Sequence, residues 1–288
     1  MKCIYKELFL KNKIIACMVV KNEVDIIEYT LEQALKWADY ILVLDNNSTD
    51  GTIDVIKKMS ELEQKIIFWG SYGGPFRDSL RSVIYNDYYY LCDDGDWWCR
   101  LDADEVYIDD PREFLAAMDE SIDHVYSASF QYYLTKKMLE NEEQNNTKFD
   151  ISNYKYFKCN WSEIRFVKIK KSTIWPLHFA NPLFLLKPSS RRIRLKHFQY
   201  RNSRQMEKRF RDRSPKEGKN LFSHELKQNK IWDETDLTYD QGIYEYNDEI
   251  LPKIKKISTF RKVIFTCIVY SLKKLSLERM LLPSKEKV

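Results

Sequence analysis

The side chains placed to do chemistry are acidic and sit at the ends of apolar runs. Asp102 and Asp104, with Glu105 beside them, leave the run 97–101. Hard oxygen ligands of this kind suit Mg²⁺ or Mn²⁺, which in turn bridges to the phosphates of a nucleotide. The same residues could instead form a solvated acidic turn that caps the next helix. Asp45 closes a second apolar run, 40–44. His197 lies in the alternating stretch 191–198, on the face of Ile193 and Leu195, with Arg192, Arg194, Lys196 and Phe198 opposite. Pointing inward, it is either a hydrogen-bonded core residue or a ligand, and the neighbouring Lys196, Arg201 and Arg204 suit a phosphate-facing surface.

The elements that position these residues alternate in type. Residues 14–20 form a continuous apolar run, predicted as a parallel strand buried on both faces. Asn22 offers an N-cap, and Ile27, Leu31, Ala34, Leu35 and Ala38 follow at helical spacing. A strand is predicted over 40–44, a turn cluster over 46–51, a helix over 52–62, a strand over 66–69, a helix over 78–90 and a strand over 97–101. Asp110 and Pro111 then cap and open another helix. This order predicts an α/β fold with a mostly parallel central sheet covered by helices, whose ligands bind beyond the carboxyl ends of the strands. Longer strands follow at 125–134 and 164–169, with a polar loop at 140–150.

The chain has 288 residues, 44% of them hydrophobic, enough for one large domain or a domain with an appendage. We read residues 1–220 as one domain, with a donor half at about 12–120 and an acceptor half at about 121–220, and 221–288 as a helical basic extension. Six cysteines without a CxxC pair fit a reducing, cytoplasmic setting. The first ten residues are interrupted by charges, unlike a secretion signal.

Residues 18–23 (MVVKNE), 44–52 (LDNNSTDGT) and 101–105 (LDADE) together resemble glycosyltransferase family 2, whose fold is GT-A. The segment from His197 to Asn202 is similar to the histidine block of a subgroup. The resemblance implies transfer of a sugar from a UDP- or GDP-linked donor to a glycan or lipid-linked acceptor, with Mn²⁺ or Mg²⁺. It would place Val20, Lys21, Asn22, Glu23, Asp45 and Asn47 around the nucleoside and make Asp50 structural. Asp102, Ala103 and Asp104 would face ribose, metal and diphosphate, with Asp104 and His197, and also Asp102, as metal ligands. Arg81 would reach the donor phosphate or stay a solvated helix charge. Family 2 enzymes generally invert configuration in a single displacement. The family's usual Glu-Asp pair after the acidic strand is absent, and Glu163 is the candidate base, with an exposed strand-end charge as the alternative.

Residues 191–219 hold 12 Lys or Arg against 3 acids, and 253–288 hold 10 against 2 around the apolar run 263–272. The first could meet phosphates or only water. The second could lie on an anionic membrane as a basic amphipathic helix, or pack as an ordinary terminal helix. The acidic strand end argues against a nucleic-acid partner. Rival classes are a non-catalytic nucleotide-sugar or glycan-binding protein, a nucleotidyltransferase, for which the N-terminal Gly-rich phosphate loop is missing, and a membrane scaffold.

Overall fold

A computed structural model describes residues 12–135, 138, 140, 150–183, 185–202, 204–206, 208–209, 231–232 and 244–245. Among these, two compact units are distinguished. One holds the residues up to Ser127 together with Ser162–Arg194. The other holds those of Ala128–Trp161 and those from Leu195 onward.

The first unit is built on four parallel strands, β1 (Ile14–Val20), β2 (Tyr40–Asp45), β3 (Ile66–Ser71) and β4 (Trp97–Leu101), in the order β3-β2-β1-β4. All seven residues of β1 are buried. Their alternation divides them between two apolar clusters. Ala16, Met18 and Val20 pack with Ile27, Leu31 and Ile56 of helices α1 (Ile27–Leu35) and α2 (Thr52–Leu62). Ile15, Cys17 and Val19 pack with Leu80 and Ile84 of α3 (Leu80–Tyr88), and with Trp98 and Trp175. Helices on both faces explain why the strand reads as an unbroken apolar run.

After β4 come β5 (Glu105–Tyr107) and α4 (Pro111–Ala116). Asp110 caps α4 as predicted, its Oδ1 accepting from the backbone N–H of Arg112 at 2.7 Å and of Glu113 at 3.2 Å. The sheet then turns antiparallel: β9 (Ile164–Lys168) pairs with β4, and the first residues of β6 (His124–Tyr132) pair with β9.

The predicted cap at Asn22 is not observed. The residue preceding α1 is Ile26, with no side-chain cap. Asn22 has φ +57°, a left-handed conformation that asparagine tolerates, and its Oδ1 accepts from Thr49 N–H at 2.8 Å. It ties two loops together instead of starting a helix. The third helix is shorter than the predicted 78–90 because residues 89–91 tighten into a single 3₁₀ turn, and β3 runs on to Ser71, which pairs with Asp45.

In the second unit, the rest of β6 pairs antiparallel with β8 (Tyr156–Trp161), and β8 with β12 (Tyr244–Glu245). The short strands β7 (Leu134–Thr135) and β11 (Ile231–Trp232) form a parallel pair. The predicted strand 125–134 is thus two strands. An aromatic core of Phe130, Tyr132, Tyr154, Phe157 and Phe198 fills this unit. The strand β10 (Ile193–His197) ends at the histidine, so the predicted alternation stops there: His197 is half-buried, whereas Phe198 is fully buried against Tyr132 and Tyr154.

The extension at 221–288 lies outside the described residues apart from β11 and β12, as does most of the loop at 140–150. No helix among the described residues is long and apolar enough to cross a membrane.

A buried carboxylate anchors the segment before β10. Asp123 accepts from the backbone N–H of Leu186 at 2.9 Å and of Lys187 at 3.0 Å, and its Oδ1 lies 2.6 Å from His124 Nδ1. Burial works to raise this carboxyl, but His124 and the two backbone donors outweigh it and hold it below its ordinary value. A lowered carboxylate contributes stability that is complete above about pH 4 and is lost as pH falls through the lower folded-state value. Urea titrations of Asp123→Asn between about pH 4 and pH 2 should therefore give a flatter stability profile than the parent chain. Equal slopes would remove this anchor from the account.

Candidate functional site

The carboxyl ends of β1, β2 and β4 lie side by side, with Val20 opposite Asp45 and Met18 opposite Leu101. Two loops leave this edge and are stitched together. Asn22 N–H donates to Ser48 Oγ at 2.9 Å, Glu23 N–H to Thr52 Oγ1 at 2.9 Å and Val24 N–H to Asp50 Oδ2 at 3.3 Å. Asp50 also accepts from Thr52, so its position is structural. Asn46 holds the backbone carbonyls of Tyr72 and Gly74, both at 2.8 Å. Val20 and Ala103 are buried, their carbonyls accepting from Asn46 N–H at 2.7 Å and Thr30 Oγ1 at 2.6 Å, while Lys21 and Asn47 are exposed. Asn47 has φ +60°.

Asp45 is fully buried beneath these loops. Its Oδ2 accepts from Ser48 N–H at 3.0 Å, and its Oδ1 has no hydrogen-bond partner among the described residues. An unmet buried carboxylate oxygen costs desolvation free energy that an incoming N–H or O–H donor recovers.

At the end of β4 the acids meet three guanidiniums. Arg81, on α3, is 1% exposed and pairs with Asp102 Oδ1, and with Asp78 at 3.3 Å. Arg100, from β4 itself, contacts Asp78 and Glu163, both at 3.1 Å. Arg165, on β9, is 1% exposed; its Nη1 meets Asp102 Oδ2 at 2.9 Å and its Nη2 meets Glu163 at 2.7 Å and Glu105. Burial alone would raise the Asp102 carboxyl; Arg165, then Arg81 and Arg100, hold it well below the usual carboxylate range. Asp102 is therefore a permanent anion at neutral pH.

Arg81 is thus buried in an ion-pair network, which excludes the solvated-charge reading. Glu163, expected as a base or an exposed charge, has a guanidinium on each oxygen. Asp104 is 6% exposed. Asp102, Glu105 and Glu163 bring carboxylate oxygens within 4.8 Å of one another. His197 belongs to the second unit.

The donor chemistry fits a hard divalent cation. The clustered ligands are carboxylate oxygens, and four acids (Asp78, Asp102, Glu105, Glu163) stand against three arginines, an excess that would repel a diphosphate unless a cation joined it. Among the described residues, Asp102, Glu105 and Glu163 are the ones whose clustered oxygens would hold it.

Arg100 and Arg165 were missed as site residues. The available signal was an arginine set inside a short, otherwise largely apolar strand, WWCRL for Arg100 and IRFVK for Arg165. Arginine is almost never fully buried unless it is paired.

Residues 15–69, from β1 through most of β3, match the model of the family described as glycosyl transferase family 2. No curated protein matches the chain. Among solved structures, S. aureus TarS is similar at 17% identity over 43% of this chain and 36% of that one, with a TM-score of 0.31. A mycobacterial protein is similar at 17% identity over 46% and 45%, also at 0.31. GalNAc-T7, solved with UDP, GalNAc and Mn²⁺, is similar at 9% identity over 67% and 44%, at 0.36. The chain thus spans less than half the length of each of these three. The matched stretch holds the stitched loops around Asp45 and the parallel strands beneath them, and over residues 15–69 the chain is similar to glycosyl transferase family 2.

Proposed function

We propose that the chain transfers a sugar from a nucleotide-sugar donor, UDP- or GDP-linked, to a glycan or lipid-linked acceptor, with Mn²⁺ or Mg²⁺ as cofactor. The observation that carries this reading is the open, fully buried oxygen of Asp45 on the same sheet edge as the acidic end of β4. Asp45 accepts from the base or ribose, and the stitched loops hold it rigidly for that contact. The cation, when bound, neutralises charge that develops on the departing nucleoside diphosphate. Arg81, Arg100 and Arg165 fix the Asp102 carboxylate in its ionised form and keep the site ordered before the donor arrives. Assembly of surface polysaccharide or lipid-linked glycan is the process such a transfer serves.

A second reading, donor binding without turnover, is favoured by one observation: the candidate base Glu163 is engaged by Arg100 and Arg165. Donor hydrolysis or transfer measured alongside binding separates the two.

Calorimetric titration with UDP and with GDP, each in Mn²⁺ and in EDTA, tests the proposal. Binding of one nucleotide should require the metal, and Asp104→Ala should make the titrations with and without metal alike. Absence of binding under every condition would reduce the acidic strand end to a turn.

A further inference from the structure

At the other end of the parallel strands the first unit carries a cleft of about 690 Å³. Its walls are the end of α3, the turn before β4 and the segment after β9. The loops below it are braced. Asp96 accepts from Lys13 N–H and from Asp93 N–H, both at 2.7 Å; Gly95 N–H donates to the Ile169 carbonyl at 2.8 Å; and Asn86 holds the Trp175 carbonyl at 3.0 Å. Trp175 is buried against Tyr85 and Trp98, so this wall is rigid.

The lining combines two exposed apolar side chains, Tyr89 at 62% and Ile174 at 50%, with Asp94, Lys170, Lys171 and Thr173. Neither lysine carries an ion pair among the described residues, and Asp94 uses one oxygen to accept from Lys171 N–H at 2.8 Å. Asp93, also in the lining, pairs with Lys13 at 2.8 Å, and Asp96 lies 3.6 Å from the same ammonium, so three carboxylates stand with three ammonium groups around the cleft, which selects neither a polyanion nor a polycation. An open aromatic face beside mixed donors and acceptors, in a pre-formed concavity of this size, matches a neutral ligand with one apolar face and many hydroxyls.

We infer that this cleft is a second carbohydrate site, separate from the donor site, that binds a neutral oligosaccharide by stacking a sugar ring on Tyr89. The choice of ligand class rests on the glycosyl-transfer reading. Helix α3 links the two places: Arg81 near its first turn meets Asp102, and Tyr89 follows its last residue, about 12 Å further along the axis. The cleft would hold a growing glycan at a point away from the transfer centre.

The test uses the full chain and a panel of maltotetraose, cellotetraose, chitotetraose and mannotetraose, followed by saturation-transfer NMR and calorimetry. At least one should bind with Kd of about 1 mM or tighter. Tyr89→Ala, at an exposed position, should weaken it about 5-fold, and Tyr89→Phe should restore it. Saturating UDP with Mn²⁺ should not displace the sugar, and Asp104→Ala should leave its affinity unchanged, so this site and the donor site can fail separately. Lack of binding by all four sugars, indifference to Tyr89→Ala, or displacement by UDP would each overturn the inference. So would sugar-independent partition of the chain onto phosphatidylglycerol vesicles that Tyr89→Ala abolishes, which would make the patch a membrane contact.

Discussion

Arg165→Met should destabilise the protein by about 3–5 kcal/mol, read as a lowered urea midpoint at unchanged slope. The guanidinium is 1% exposed and serves Asp102, Glu105 and Glu163 at once. Removing it strands Glu105, itself 1% exposed, as a buried charge without its principal counter-ion. It also removes the first of the three arginines that hold the Asp102 carboxyl low, so that carboxyl should move up toward its ordinary range. The paired change Arg165→Met with Glu105→Met removes both ends of the most deeply buried pair and should recover much of the loss, because the penalty lies in the unpaired charge more than in the missing contact. A single variant within about 0.5 kcal/mol of the parent would show that the network is peripheral to stability.

Asp45→Asn should leave the fold intact and weaken nucleotide binding about 10- to 150-fold, the loss expected of a hydrogen bond to a charged acceptor worth about 1.5–3 kcal/mol. The amide oxygen can still accept from Ser48 N–H, so the loop keeps its tie. The amide nitrogen then occupies the place of the open Oδ1 and presents a donor where a lone pair stood. Against a base N–H this is a donor facing a donor. Against a ribose hydroxyl, which can also accept, the loss should fall at the low end. Calorimetry on the substituted chain therefore measures both whether Asp45 holds the nucleoside and which part of it. Unchanged affinity would take the nucleoside away from this edge of the sheet.

Both predictions concern residues of very different legibility. Asp45 and Asp102 could be found in the sequence because each ends a strand buried on both faces, and such strands announce themselves as unbroken apolar runs; β1, β4 and α2 fall where the pattern places them. Arg165 could not, since its partners stand up to 63 residues away and only the antiparallel pairing of β9 with β4 brings them together. Asn22 misled for a local reason: asparagine serves equally as a helix cap and as a left-handed corner, and the choice depends on Thr49 across the gap. The alternation through His197 failed where the strand ended, one residue before the aromatic core of the second unit claimed Phe198.

The sharing of one guanidinium among three carboxylates also bears on how this protein can change over generations. A substitution at Arg165 alone exposes three acids to mutual repulsion, and a substitution at Glu105 alone leaves an arginine over-supplied in a dry place. Neither intermediate is neutral, so positions 102, 105, 163 and 165 behave as one inherited unit. Descendants that have lost the arginine should show altered acids at the partner positions, and the order in which those changes accumulated should begin with the most exposed members, Asp102 and Glu163.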